Sequence, residues 1–161
     1  MNFFKILALY NTLANERLYE VCSKLTDEEL RQDRRTFFKS IHGTLNHIMV
    51  GDRIWLSRFK GEEALSTGLD TIIYESFDIL WSERKKQDAA ISDFVDQVTV
   101  DFLNSTITYV NNANITYQDD NSMLLMHLFN HQTHHRGQVH AMLTQTKTTP
   151  PILDMHRVIN P

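Results

Sequence analysis

The run His131-Gln132-Thr133-His134-His135-Arg136-Gly137-Gln138 carries the densest chemistry in this sequence. His131 and His135 are four apart. On a helix that spacing stacks two side chains on one face, one turn above the other. Two imidazoles so placed can grip one metal ion. A third from a facing helix would complete a three-histidine site with one coordination position open. An open position admits water or a substrate atom, so such a site serves chemistry rather than clipping the fold together. His47, far upstream, offers that third imidazole. Five of the chain's eight histidines fall between residues 127 and 140. The cluster leaves alternatives open: His127 with His131 is a second i, i+4 pair, and His131 with His134 is an i, i+3 pair.

These side chains need helices to hold them. In the last third of the chain Leu124, Leu128, His131, His135, Gln138 and Met142 advance by four or three, which makes a core seam with histidine at two of its positions. A buried imidazole must satisfy its ring nitrogens or bind something. The helix is expected from about Met123 to Thr146, capped by Asn121-Ser122. A second long helix is expected from about Phe37 to Phe59, with Ile41, Leu45, Ile48, Trp55 and Phe59 as its stripe and Lys60-Gly61 as its end. Thr44, His47, Gly51 and Ile54 share the neighbouring face. His42, near the start of that helix, reads as exposed. As a lone histidine, His47 reads equally as a hydrogen-bonded core residue.

Two further helices complete the set. Phe3 to about Lys24 has helical spacing at Ile6, Leu7, Leu9, Tyr10, Leu13, Leu18 and Val21. Thr26 with Glu29 forms a capping box for a short helix through Arg31. Ser76 caps a helix from Phe77 to about Val98, with Leu80, Trp81, Ala89, Ile91 and Val95 inward and Glu83-Arg84-Lys85-Lys86 as a solvated face. Residues 61–75 read as a connection. Ser105 to Val110 and Ile115 to Tyr117, around an Asn-rich turn, read as a small β-hairpin. The tail with Pro150-Pro151 reads as non-helical. The expected fold is all-α: one four-helix-bundle domain over 1–161 with a hairpin before the last helix.

Composition narrows the function. The formal charge is −4 with no basic stripe, which argues against nucleic acid as a partner. No apolar run approaches the length of a membrane span. Cys22 is the only cysteine, so no intrachain disulfide or thiolate cluster can form; this suits the cytoplasm, and Cys22 reads as a small core residue. The chain lacks Glu-x-x-His, His-Glu-x-x-His, Walker A, Gly-x-Gly-x-x-Gly and Gly-x-Ser-x-Gly motifs, so di-iron, zincin, nucleotide and serine-hydrolase readings lose their support.

Several stretches together resemble the DinB family of DinB/YfiT-like metalloenzymes. They are Tyr10-Asn11-x-x-Ala14-Asn15-x-Arg17-Leu18, Leu45-Asn46-His47-Ile48 with Asp52-Arg53-Ile54-Trp55, Asn130-His131-x-x-His134-His135-Arg136-Gly137-Gln138, and Pro150-Pro151-x-Leu153-Asp154. The resemblance spans nearly the whole chain, and the last-helix motif is its most specific part. It implies a four-helix bundle, often a homodimer, holding a divalent metal on three histidines, by position His47, His131 and His135. It thereby favours His135 over His134. Some members are transferases that use low-molecular-weight thiols such as bacillithiol or mycothiol. The reading is therefore a metal-dependent thiol S-transferase or hydrolase. His134, Arg136, Gln138, Tyr10 and Asn11 are its candidates for supporting or substrate contacts, with a surface salt bridge as the plainer role for Arg136 and core packing for Tyr10. The ion would be zinc or nickel, with iron or copper as alternatives. The rival reading is a non-catalytic, metal-binding, dimeric stress protein.

Overall fold

The computed structural model describes residues 3–111 and 113–160. Four long helices form a bundle: α1 (Phe3–Cys22), α3 (Ile41–Lys60), α4 (Phe77–Gln97) and α6 (Asn121–Leu143). Short helices α2 (Asp27–Arg31), α5 (Val100–Leu103) and α7 (Met155–Ile159) decorate it. Strands β1 (Thr106–Val110) and β2 (Thr116–Asp120) pair antiparallel, Thr106 opposite Asp120 and Val110 opposite Thr116. Helix α1 packs on α4 and α6, and α3 packs on α6 and α4. No helix of the described residues is long and apolar enough to cross a membrane.

The local rules hold at most helix ends. Thr26 and Glu29 make the reciprocal capping box. Ser76 caps α4 by accepting from the Ile79 amide, and α3 ends at Gly61, whose φ is 68°. The hairpin forms where β-branched residues alternate, but β2 runs on to Asp120 and feeds straight into α6. The Asn121 side chain therefore does not cap. It donates to Phe102 O and Ser105 Oγ and ties α6 to the end of α5.

Several expectations give way. Helix α3 starts at Ile41, capped by Ser40, and not at Phe37. Arg35 and Lys39 have φ of 57° and 64°, and Thr36 bridges to Lys39, so residues 36–39 form a tight turn that no helix can pass through. The tail is not wholly irregular: α7 lays Val158 against Tyr10 and Ala14 of α1. His42 is buried, with Nε2 donating to Tyr74 O at 2.9 Å. Leu9 and Ala89 face outward. Arg84 leaves the solvated face assigned to it and is buried.

The core has two apolar halves. One gathers Leu18, Tyr19, Cys22, Ile41, Leu45, Met49, Leu80 and Met142. The other gathers Phe4, Leu56, Phe59, Ile91, Leu124, Leu125 and Leu128. Burial of this kind stabilises by roughly 25 cal/mol per Å² of apolar surface. The first ten residues of α3, 41–50, are buried without exception, so this helix is enclosed on every side there. The His47 side chain is presented from that enclosed stretch.

Candidate metal centre

His47 from α3 meets His131 and His135 from α6. His47 Nε2 lies 3.0 Å from His131 Nε2 and 3.1 Å from His135 Nε2. The ligating atoms of the three fall within 4.8 Å of one another. His47 and His135 are buried and His131 is half-buried.

The outer ring nitrogens decide what these inner nitrogens are. His47 Nδ1 donates to Leu69 O at 2.7 Å. His135 Nδ1 donates to Gln138 Oε1 at 2.8 Å, and the Gln138 amide donates in turn to His134 Nε2 at 3.1 Å. A neutral imidazole has one proton. With that proton committed outward, both inner Nε2 atoms are bare lone pairs aimed at each other. Such an arrangement repels itself unless a cation lies between. Nitrogen ligands of a zinc-like ion at about 2.0–2.1 Å stand about 3.3 Å apart in a tetrahedral site, close to the spacing here. The donor set thus fits a divalent cation, and its carbonyl and amide partners are the usual outer supports of ligating histidines.

Burial keeps the imidazoles neutral. Desolvation, then the neighbouring imidazoles, press His131 down to about 3. Desolvation lowers His135 to about 4 against the pull of Gln138. Desolvation also lowers His47, opposed by its bond to Leu69. Neutral imidazole is the form that binds metal.

The surroundings hold the cluster from three directions. The Phe38 ring stacks on His47, centroids 3.8 Å apart and planes 17° apart, and meets His135 edge-on at 5.6 Å. Phe38 belongs to the tight turn before α3. That turn crosses the helix so closely that a Cβ at Gly43 would sit 2.3 Å from Phe38 O. At Gly51 a Cβ would sit 2.7 Å from His131 Cε1, so only glycine lets α6 bring His131 this close. On the connection 61–75, Tyr74 is pinned by Asn46, whose Oδ1 accepts the Tyr74 amide at 2.9 Å and whose Nδ2 donates to Tyr74 O. The same connection delivers Leu69 O to His47.

The remaining side opens into a cleft of about 400 Å³, lined by His47 and His131 together with Ile54, Trp55, Arg58, Leu69 and His127. The His127 ring packs edge-on against Trp55, 5.4 Å between centroids.

Next to the triad lies a second polar cluster. Arg84 pairs with Asp52 and, at 2.9 Å, with Asp88. Asp88 Oδ1 accepts from Asn11 Nδ2 at 3.0 Å and from Asn15 Nδ2 at 2.9 Å. Arg136 Nη1 donates to Asn11 Oδ1, to Asn15 Oδ1 at 3.2 Å and to Gln132 Oε1 at 3.1 Å. Gln132 Nε2 donates back to Asp52. The ring closes through all four long helices, and all seven side chains are buried. Its two arginines balance its two aspartates. Burial raises both carboxyls while Arg84 pulls them back down.

The supporting residues named from the sequence are therefore dispersed. Gln138 joins the triad through His135, and His134 reaches it only by way of Gln138. Arg136 and Asn11 belong to the buried ring, so Arg136 makes no surface salt bridge. Tyr10 donates to Leu153 O at 2.7 Å and lies under the Arg136 guanidinium, 5.2 Å from ring centroid to carbon. His140 Nε2 donates to Pro151 O at 3.1 Å. Sequence reasoning missed Phe38, the Leu69 carbonyl, Arg58 and the site role of Gly51. Only Gly51 left a trace, as a glycine one turn past His47 on its face.

A helical bundle with inward imidazoles on two facing helices is the class these observations define. The chain belongs to the DinB family, whose profile matches residues 1–161. It is 26% identical over 145 residues to Protein DinB of Bacillus subtilis, covering 84% of this chain and 81% of that protein. It is 23% identical over 150 residues to the uncharacterized protein YizA of the same organism, covering 93% and 89%. A crystal structure of a DinB-like protein from Bacillus cereus has the same fold, with a TM-score of 0.67 at 24% identity over 88% of this chain and 91% of that one.

Proposed function

We propose that this protein is a metalloenzyme that activates a small thiol, or a water, for attack on an electrophile, with His47, His131 and His135 as the metal ligands. One observation carries the reading: two inner Nε2 lone pairs face each other because the Nδ1 protons are committed to Leu69 O and Gln138 Oε1. Zinc or nickel suits three imidazoles, and iron or copper would also be accepted. Bound there, the ion supplies Lewis acidity that lowers the pKa of a thiol or water beside it.

The protein's own groups do the rest. Phe38 closes one side against solvent, and the cleft leaves the other side open to substrate. An accessible site supports an enzyme over the closed site that a purely structural module would need. His127 lines the cleft with its side chain open to solvent, and partial desolvation lowers its pKa, so it is neutral near pH 7 and can accept the thiol proton. In the transfer, sulfur forms a bond to the electrophilic carbon, and the leaving group departs with its electron pair.

The test is turnover of a panel of small thiols with a chromogenic electrophile, with and without added metal. Metal-dependent turnover with any thiol supports the reading. Full metal occupancy with no turnover of thiol or hydrolytic substrates favours the non-catalytic binding module. The exposed Phe3, Leu9, Met123 and Met126 support self-association as a homodimer, and sedimentation equilibrium at micromolar concentration should show it. A cytoplasmic location is our reading of a lone buried cysteine.

A further inference from the structure

The cleft beside the triad contains one feature that the metal chemistry leaves unused. Arg58 follows His47, Gly51 and Ile54 along one face of α3, eleven residues and about 16 Å of helix axis beyond the histidine. Its guanidinium is clamped. It lies 4.8 Å from the Trp55 ring centroid and 4.5 Å from that of Tyr109, and Nη2 donates to Val110 O at 2.9 Å. Tyr109 is fixed in turn by donating to Asp119 at 2.8 Å and by stacking on Tyr117. Among the described residues no carboxylate lies within ion-pair distance of Arg58. A half-buried guanidinium in a protein of net charge −4 has thus been left without a counter-charge.

Its position gives it something to bind. Arg58 lines the 400 Å³ cleft at the triad and also an adjoining hollow of about 450 Å³ between residues 64–68 and the hairpin turn. Among the described residues lining either space, it is the only Lys, Arg, Asp or Glu. Beside its histidines and Asn111, the inner cleft is lined by the apolar and aromatic Ile54, Trp55 and Leu69. The hairpin thus has a purpose in the site: Tyr109 presses Arg58 onto Trp55 and holds its fork in place.

We propose that Arg58 is a specificity-determining residue that binds a carboxylate of the substrate, selecting small molecules that carry an acid group at one end and an apolar reactive end at the triad. This rests on the cleft being the substrate site, as argued under Proposed function. A single guanidinium held in a fork matches a carboxylate in both charge and bidentate geometry. A phosphate dianion would call for a second cation, and neither space supplies one.

The test uses metal-free protein, with the chelator removed, so that no carboxylate can bind the ion instead. The probes are phenylbutyrate and its neutral counterpart phenylbutanol. Binding is read from Trp55 fluorescence in a Trp81→Phe background and from calorimetry. The unaltered cleft should prefer the acid by about tenfold, the scale of one charge-assisted bidentate contact. High salt should shrink the preference. Arg58→Gln should bring it to within about twofold of parity, and Arg58→Lys should keep part of it, since the ammonium retains the charge without the fork. If Arg58→Gln does not fold, the Lys variant decides: a reduced preference supports the fork and an unchanged one overturns it. Equal affinity for the two probes, no binding of either, or a preference surviving in Arg58→Gln overturns the proposal. Failure of the metal reading shows separately, as lost metal stoichiometry measured with no probe present.

Discussion

The triad and the Asp52–Arg84 ring are built from the same local device and end in opposite states. Each draws on i, i+4 pairs turned inward: His131 with His135 in the triad; Asn11 with Asn15, Arg84 with Asp88, and Gln132 with Arg136 in the ring. They are neighbours along the chain, since Gly51 precedes Asp52 and His131 precedes Gln132. The ring balances its own charges and pairs most of its polar atoms internally, with Asp52 Oδ1, Arg84 Nε and Arg136 Nε left unpaired. The triad has no such balance, because the His47 and His135 lone pairs face each other and His131 Nδ1 has no partner. A closed polar cluster between two apolar half-cores specifies how four helices align. An incomplete one recruits something from outside. Structure and chemistry are thus separated by whether each cluster supplies its own counter-charges.

The contrast breaks most visibly at Arg84. Arg84→Met leaves Asp52 and Asp88 buried without their cation and should cost about 3–5 kcal/mol, because an unpaired buried charge is far more expensive than a lost contact. Chemical denaturation measures it. A loss below about 1 kcal/mol would show that the ring adds little to the fold.

The triad should behave in the opposite way. His47→Ala, His131→Ala and His135→Ala should each remove most of the bound metal while the metal-free protein stays folded, since each variant also relieves crowding of lone pairs. His156→Ala, on the surface, should change neither property. His42→Ala should lower stability by about 1 kcal/mol by removing one of the two donors to the Tyr74 carbonyl, the other being Asn46 Nδ2, yet it should retain metal. Metal analysis of the purified variants, with melts alongside, separates these outcomes. Full occupancy in the His47 variant would take that residue out of the site.

Acid should sharpen the difference further. His131 and His135 are held neutral down to about 3 and about 4 in the folded protein, whereas free imidazole titrates near 6.5. As pH falls the unfolded chain takes up protons first. The contribution of these groups to stability is therefore intact above about 6.5 and is lost progressively toward their folded values. Metal adds stability in the same direction, because its ligands must be unprotonated and it binds the folded state. Melts of loaded and stripped protein should differ at about pH 7.5 and converge by about pH 5. Coincident melts at the higher pH under saturating metal would mean that the ion also binds the unfolded chain or that the site does not exist, and titration with a competing chelator tells these apart.

The smallest effects fall on the supports. Gln138→Ala frees His135 Nδ1, and Gly51→Ala pushes His131 aside. Each should weaken metal binding about 10- to 100-fold without abolishing it, which is the usual scale for outer-shell changes. Competition with a chelator reads this directly. Unchanged affinity in both would mean that the ion, and not the protein, sets the ligand geometry.

Much of this was legible along the chain. The four long helices follow from apolar spacing and from the caps at Thr26 and Ser76, which act over one or two turns. His131 and His135 had to share a face for the same reason. What misled was equally local. Phe37 continued an apolar pattern into a turn that Arg35 and Lys39 make with positive φ. Arg84 sits in a run of charges that reads as surface, although its partner Asp88 lies one turn on and Asp52 comes from another helix. Periodicity records which residues share a face. It does not record what that face meets.

By itself, then, the sequence determined the helices, their caps, the hairpin and the inward histidine pair, because each depends on contacts within about a turn or across one hairpin. Spacing offered His131 with His135, and His47 as a third imidazole from a second helix; family resemblance then favoured His135 over His134. The tertiary structure alone decided that His47 reaches the pair, that Leu69 and Gln138 take the outer protons, that Arg84 and Arg136 are buried, and that Arg58 faces a cleft. Each of those facts joins groups from different helices or loops. Their meeting depends on how closely the backbones approach, as Gly43 and Gly51 permit here, and no local pattern encodes that distance.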